Sequence, residues 1–170
     1  MSSPTDIKLI VFDVDGVLTD GGIYVDDRGT ESKRFHVRDG FAIRAAMSVG
    51  LQIGILTGRS TPAVTLRMAE LGVNLVIQGA HDKATAFETL CQQAGVLPED
   101  VAYVGDDLID LPAMLRCGYP IAVADAVEDV RSEAHYVTSC NGGCGAGRDA
   151  IEHILRAQGR WDEVVERYGV

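Results

Sequence analysis

The chain has 170 residues and a formal net charge of -10 at pH 7, from 15 basic and 25 acidic side chains. This length suits one domain with a substantial core, and the acidic balance disfavours nucleic acid and anionic membranes as partners. Residues 1–6 lack the basic and apolar regions of a signal peptide, and no apolar run could span a bilayer, so we expect a cytoplasmic single domain over residues 1–170.

The first predicted strand ends in two carboxylates. Residues 9–12 are consecutively apolar, which indicates a strand buried on both faces of a parallel sheet. Asp13, Asp15 and Gly16 follow at its carboxyl end, where open α/β sheets bind ligands. Two carboxylates this close repel each other unless a cation or a shared proton relieves them, and Mg²⁺ suits such oxygen ligands. Taken alone, the pair could equally be turn and capping residues.

A β-hairpin is predicted directly after these carboxylates. Two short strands lie between residues 22 and 37 and flank a turn at residues 26–29. Such an excursion could cover the mouth of a site, pair with another chain along its exposed edge, or be an ordinary loop.

Strands and helices then alternate along the chain. Asp39 is predicted to cap a helix that ends near Gly50. Further helices are predicted at residues 62–71, 83–94 and 111–116, and further strands at residues 52–56, 75–77, 101–104 and 121–123. This repetition predicts an α/β fold, with a doubly wound parallel sheet and right-handed crossovers.

The carboxyl-terminal segment, residues 141–170, begins with a glycine-dense loop and continues as one or two helices at 146–157 and 161–168. The loop has the composition of a phosphate-binding loop, but no strand of the dinucleotide-binding type precedes it, so we predict a flexible hinge. Cys140 and Cys144 have no second cysteine pair or histidines nearby in sequence, and we expect free thiols rather than a zinc site.

Polar residues follow the other predicted strands as well. Because the carboxyl ends of parallel strands share one edge of a sheet, residues that are distant in sequence can converge there. The residues in question are Thr57, Gly58 and Arg59 after the second strand, Lys83 at the start of a helix, and Asp106, Asp107 and Asp110 after the fourth strand.

This set of side chains supports phosphoryl transfer to an aspartate. Asp13 would attack phosphorus, and Asp15 would protonate the leaving alkoxide and later take a proton from water. Mg²⁺ would bridge the carboxylates and the phosphate, and Lys83 would neutralise remaining charge.

The motifs that contain these residues resemble, in order, those of haloacid dehalogenase superfamily phosphatases. The resemblance implies a Rossmann-like core, and the short spacing between motifs leaves no room for a cap domain. It further implies that Asp13 is the nucleophile and a Mg²⁺ ligand, and that Asp15 is the acid/base and binds Mg²⁺ through its backbone carbonyl. Asp106 would be the third metal ligand, and Asp107 and Asp110 would support the metal ligands. The residues that bind the phosphate would be Thr57, Gly58 and Lys83.

A similarity over nearly the whole chain extends to capless members that hydrolyse 3-deoxy-ulosonic acid phosphates. It rests on residues 13–21, 38–40, 101–110, 123–126 and 142–148. It implies a homotetramer in which hairpins pair between subunits and the carboxyl-terminal segment of one subunit approaches the site of another. We expect an eight-carbon acid. A substrate with a nine-carbon acid is the alternative. A third possibility is a related non-catalytic tetramerisation module, although this chain retains every catalytic position.

A sugar-acid substrate carries a carboxylate beside its phosphate, and a guanidinium can bind a carboxylate through two hydrogen bonds. Arg59 is the first candidate because it follows the phosphate-binding residues. Arg67 and Arg148 are weaker candidates, and each of the three could instead form a surface ion pair.

Overall fold

Eight strands form two sheets in the computed structural model, which describes residues 3–169. The larger sheet has six strands in the order β5-β4-β1-β6-β7-β8, and every neighbouring pair is parallel, which confirms the predicted α/β fold. In chain order the strands are β1 (Leu9–Phe12), β2 (Tyr24–Val25), β3 (Glu31–Ser32), β4 (Gln52–Leu56), β5 (Leu75–Ile77), β6 (Val101–Gly105), β7 (Tyr119–Ala122) and β8 (Tyr136–Val137).

Within the same residues, seven α-helices accompany the sheet: α1 (Val37–Ser48), α2 (Pro62–Leu71), α3 (Lys83–Ala94), α4 (Leu111–Met114), α5 (Glu128–Glu133), α6 (Ala146–Ala157) and α7 (Trp161–Glu166). Helix α1 packs against α2 and α6, while α3 packs against α4 and against strands β4 and β5. None of the helices in the described part of the chain is both long enough and apolar enough to cross a membrane.

Strand β1 is the central strand of the topology. All four of its residues are fully buried, and β4 and β6 pair with it on either side. The chain therefore builds the sheet outwards in both directions from β1, and a ligand site is expected at the carboxyl end of such a strand. Beside it, Phe87 and Tyr103 pack edge to face, with ring centroids 6.2 Å apart.

Local sequence signals determine where α2 and α3 begin and end. The Asp82 carboxylate accepts hydrogen bonds from the backbone N–H groups of Ala84 and Thr85 and so caps α3. Gly72 and Gly95 end α2 and α3 in the left-handed conformation, with φ of +79° and +68°. Asp82 thus places Lys83 at the first position of α3.

One α-helix and one strand were not predicted from the sequence. Helix α5 has six residues and β8 has two, so neither is long enough to show a helical or strand periodicity. The predicted fifth strand at 121–123 lies instead at Tyr119–Ala122, and the predicted helix at 111–116 ends at Met114.

The prediction that Asp39 caps α1 is wrong. Helix α1 begins at Val37 after His36, and Asp39 lies buried within its first turn. The Asp39 carboxylate instead accepts a hydrogen bond of 2.8 Å from the backbone N–H of Arg148, in the first turn of α6. The residue before α6 is Gly145, which has no side chain to provide a cap, so Asp39 does so across the interface between α1 and α6.

Replacement of Asp39 by Ala is expected to lower the free energy of unfolding by about 1–3 kcal/mol, because the partly buried N–H of Arg148 then loses its acceptor. Burial raises the pKa of Asp39 despite the Arg148 N–H, so the ionised carboxylate is itself costly in this place. Asp39→Asn keeps an acceptor without the charge and should lose less than Asp39→Ala. Urea titrations of both variants test this, and equal losses would contradict the capping role.

The glycine-dense loop is not the flexible hinge that the sequence suggested. The Gly143 N–H donates to the Val17 carbonyl at 3.0 Å, and the Gly142 N–H donates to the Asp125 carboxylate at 2.8 Å. A Cβ on Gly142 would lie 1.7 Å from the carbonyl oxygen of Gly16. The loop therefore packs backbone to backbone on the segment that follows Asp13 and Asp15, which only glycine permits.

Candidate active site

Three carboxylates meet at the carboxyl ends of two neighbouring strands. Asp13 follows β1 and Asp106 follows β6, while Asp110 belongs to the 3₁₀ turn after Asp106. One carboxylate oxygen from each of the three lies within 4.8 Å of those of the other two. Asp13 and Asp110 are buried and Asp106 is partly exposed, so the group opens to solvent on the Asp106 side. We call these three residues the acidic cluster.

Lys83 supplies the positive charge within the acidic cluster. Its Nζ lies 2.6 Å from Asp110 Oδ1 and 3.0 Å from Asp13 Oδ1, and the residue is only 3% exposed. Burial lowers the pKa of Lys83, but the charges of Asp110 and Asp13 raise it by more, so the net shift is upward. Lys83 therefore remains an ammonium beside the predicted nucleophile, as the proposed chemistry requires.

Asp110 anchors the cluster rather than facing a ligand. Oδ1 accepts hydrogen bonds from Lys83 and from the Tyr103 hydroxyl at 2.8 Å. Oδ2 accepts from the backbone N–H groups of Asp106 at 3.0 Å and Asp107 at 3.3 Å. Since both oxygens already have two donors, Asp110 fixes the position of Lys83 and of the Asp106 turn.

Asp13 and Asp106 have the properties expected of cation ligands. Burial and the charge of Asp110 raise the pKa of Asp13 to about 6, despite Lys83. Burial, Asp110 and Asp13 together raise the pKa of Asp106 to about 8. Among residues 3–169, Asp13 Oδ1 is also buried without a hydrogen bond of good geometry. A divalent cation would relieve this repulsion, so the hard oxygen donors fit such an ion.

Gly16 makes room for Asp106 in this arrangement. It has a φ of +90°, and a Cβ there would lie 2.0 Å from Asp106 Oδ2. Any side chain at Gly16 would therefore push Asp106 out of the acidic cluster.

Asp15 lies on the hairpin side of the site, and its side chain is not part of the acidic cluster. Asp15 Oδ1 forms an ion pair with Lys33 Nζ, and Oδ2 lies 3.8 Å from Arg59 Nε. Lys33 was not among the predicted site residues. No local pattern marks it, because the contact depends on how the hairpin folds back over the first strand end.

Thr57 and Gly58 lie beside Asp13 because β4 pairs with β1. Thr57 is 2% exposed and directly follows β4, and its backbone N–H donates to the Ile77 carbonyl at 3.0 Å. A Cβ added to Gly58 would lie 3.8 Å from its nearest neighbour, the carbonyl oxygen of Ala80, so space is open around that residue. The sheet thus brings these residues to the same edge as the acidic cluster.

Arg59 is the predicted substrate-binding arginine that the fold brings to the site. Its side chain is 47% exposed, and it forms an ion pair with Glu31 of the hairpin besides approaching Asp15.

Asp107 is exposed, and its carboxylate accepts a hydrogen bond of 2.7 Å from the Leu108 N–H. It therefore caps the short turn after β6.

Arg67 and Arg148 have other partners. Arg67 pairs with Glu70 at 2.8 Å on its own helix. Arg148 bonds Glu152 at 2.6 Å, and its guanidinium lies over the rings of Phe41 and Trp161 at 5.5 and 5.7 Å. Within residues 3–169, neither arginine has an ion pair with a carboxylate of the site.

The family model and similar proteins of known function indicate the same class of enzyme. Residues 73–146 match the family described as haloacid dehalogenase-like hydrolase. The 3-deoxy-D-manno-octulosonate 8-phosphate phosphatase of Escherichia coli K12 is 46% identical over 158 residues, which cover 93% of this chain and 84% of that protein.

Two solved structures are similar over most of their length. The Moraxella catarrhalis 3-deoxy-D-manno-octulosonate 8-phosphate phosphatase, in complex with magnesium, phosphate and 3-deoxy-D-manno-octulosonate (KDO), is 41% identical with a TM-score of 0.94, covering 97% of this chain and 95% of that chain. The cobalt-bound Haemophilus influenzae phosphatase is 46% identical with a TM-score of 0.89, covering 92% and 91%. The chain therefore belongs to the haloacid dehalogenase-like hydrolases, in the phosphatase family of these relatives, and is a phosphoric monoester hydrolase.

Proposed function

We propose that the protein is a Mg²⁺-dependent phosphatase that converts 3-deoxy-D-manno-octulosonate 8-phosphate to KDO and phosphate. The observation that carries the proposal is the meeting of Asp13, Lys83 and Asp106 at the carboxyl ends of β1 and β6. The similarity to phosphatases of that name supports the choice of substrate. The retained site and the family membership argue against a non-catalytic tetramerisation module.

The proposed reaction has two steps, and side chains of this protein take part in both. A carboxylate oxygen of Asp13 attacks phosphorus, the bond from phosphorus to the sugar oxygen breaks, and Asp15 gives a proton to the departing alkoxide. Asp15 then takes a proton from water, whose oxygen attacks phosphorus and releases phosphate from Asp13. Lys83 balances negative charge beside Asp13 throughout both steps.

The cation site would consist of the Asp13 and Asp106 carboxylates and the backbone carbonyl of Asp15. When bound there, Mg²⁺ would supply Lewis-acid polarisation of the phosphate and would offset the repulsion between the phosphate and the carboxylates. Thr57 and Gly58 would bind phosphate oxygens from the neighbouring strand end. Asp107 and Asp110 would hold the Asp106 turn in place.

We assign the substrate carboxylate to Arg59. Arg59 also pairs with Glu31, but it combines exposure with proximity to Asp15, whereas Arg67 and Arg148 pair with Glu70 and Glu152 and have no ion pair with Asp15. A guanidinium at the mouth of the site can bind a carboxylate through two parallel hydrogen bonds.

The proposal includes a cytoplasmic homotetramer in which hairpins pair between subunits. The hairpin forms a two-stranded sheet of its own, and Ile23, Tyr24 and Val25 are 51%, 45% and 57% exposed. Such an apolar edge favours association with another chain. The carboxyl-terminal segment, as far as residue 169, packs through α6 on α1 of its own chain.

Phosphate release from eight-carbon and nine-carbon ulosonate phosphates tests the proposed function. We expect kcat/KM to be at least about tenfold higher for the eight-carbon substrate, the discrimination that a well-fitted pocket gives. Activity should disappear in EDTA and return with added Mg²⁺. A preference for the nine-carbon acid would overturn the substrate assignment, and full activity in EDTA would overturn the metal dependence.

A further inference from the structure

Lys33 is a buried cation that takes no direct part in the two steps of the proposed reaction. It lies one residue beyond β3, in the connection from the hairpin to α1, and its side chain is 1% exposed. Its Nζ forms ion pairs with Asp15 Oδ1 and, at 3.0 Å, with Glu31 Oε1. An ammonium buried this deeply requires anionic partners, and these two carboxylates provide them.

The contacts around Lys33 form a closed ring between the hairpin and the site. Glu31 binds both Lys33 and Arg59, and Arg59 in turn approaches Asp15. Lys33 and Arg59 together pull the pKa of Glu31 below its ordinary range. Glu31 is therefore a firm counter-ion, and it holds Lys33 in place from the hairpin side.

The Asp15 carboxylate is one member of this ring. In the described part of the chain, Lys33 is the one side chain that donates a hydrogen bond to the Asp15 carboxylate, since Arg59 Nε at 3.8 Å is beyond hydrogen-bonding distance. A carboxylate that transfers protons must be held in a defined direction relative to the leaving oxygen. The hairpin provides that support through Lys33.

We propose that Lys33 is a positioning residue that orients Asp15 for its proton transfers and thereby makes the hairpin part of the catalytic apparatus. The inference rests on the proposed function, because it assigns Lys33 a role in that reaction. It predicts that losing Lys33 impairs the reaction in proportion to how much the leaving group needs a proton. A residue that merely bound the substrate carboxylate would impair the reaction of the sugar-acid phosphate alone, and it would leave carboxylate-free phosphate esters with different leaving groups equally unaffected.

The experiment compares wild-type enzyme with Lys33→Met in the first-turnover (pre-steady-state) release of the leaving group at saturating substrate and Mg²⁺, and in steady-state turnover for KM. The substrates are the eight-carbon ulosonate phosphate, phenyl phosphate and p-nitrophenyl phosphate, whose leaving groups need a proton to a decreasing degree. We expect a loss of about 10- to 100-fold on the first, a smaller loss on the second and the smallest on the third, with KM changing less than about threefold.

Two further variants serve as controls. Lys33→Arg retains the charge and should recover most of the lost rate. Arg34→Met removes the neighbouring cation, which is 60% exposed and lies 3.5 Å from Asp20, and it should behave like wild type. Circular dichroism spectra of the three variants establish that each is folded.

The outcomes separate the inference from the proposed function. An equal loss on all three substrates, or a loss confined to the ulosonate phosphate, would overturn the positioning role of Lys33 while leaving the phosphatase intact. A wild-type protein without activity on any of the three would overturn the proposed function and, with it, the role of Asp15 on which Lys33 depends.

Discussion

Asp13→Asn is expected to lower kcat for the sugar-acid phosphate by about 10⁴-fold or more, because an amide cannot replace the carboxylate that attacks phosphorus. No phosphorylated protein should be trapped after rapid mixing with substrate and acid quenching, whereas the wild type should yield a phosphoaspartate. Asp129→Asn, an exposed change on α5, is the matched control and should leave kcat unchanged. Retention of even a tenth of wild-type turnover in Asp13→Asn would contradict the nucleophile assignment.

The same variant should not unfold more easily. The pKa of Asp13 in the folded chain is about 6, above its ordinary value of 3.8. The folded state therefore binds more protons between these pH values, and stability falls as the pH rises through that window. At pH 7 the ionised Asp13 costs stability in the metal-free protein, and Asn removes that cost. Urea unfolding without metal should give Asp13→Asn a midpoint equal to or above that of wild type.

Unlike Asp13→Asn, Lys83→Met is expected to lose a large part of its stability as well as its activity. Its removal leaves Asp13 and Asp110 buried without their shared cation. Breaking a buried ion pair by deleting one partner typically costs about 3–5 kcal/mol. We expect the metal-free variant to lose about this much free energy of unfolding in urea.

A second change tests whether that loss arises from the uncompensated carboxylates. In Lys83→Met combined with Asp110→Asn, one of the two stranded charges is removed, so the double variant should be more stable than the sum of the single losses predicts. The Tyr103 hydroxyl keeps an acceptor in that protein, because the amide that replaces the Asp110 carboxylate retains an oxygen. Strict additivity would show that Lys83 stabilises the fold by packing rather than by charge.

The sequence was sufficient to predict the strands of the large sheet other than β8, and the meeting of their carboxyl ends. Apolar runs of four or five residues located β1, β4 and β6, and capping residues and glycines located α2 and α3. These are local signals that no distant contact alters. Parallel pairing then places Asp13 and Asp106 side by side, because the strands before them are neighbours.

Contacts between distant segments could not be predicted in this way. Asp39 is a residue type that commonly caps the helix that follows it. It caps α6 instead, more than a hundred residues away. Lys33 carries no motif, and its pairing with Asp15 depends on the path of the hairpin. Arg67 and Arg148 were candidates by residue type, and residue type gives no information on their pairing with Glu70 and Glu152 within the chain; their role toward the substrate stays a prediction.

The contact of Gly142 and Gly143 with the segment after β1 has a thermodynamic consequence. The two backbones are in direct contact, and a hydrogen bond from the Gly143 N–H to the Val17 carbonyl joins them. Local opening of the loop beside the nucleophile must therefore also detach the start of the α6 segment, which makes the two a single cooperative unit. Any ligand that binds at Asp13 then stabilises the far end of the chain by mass action, without touching it.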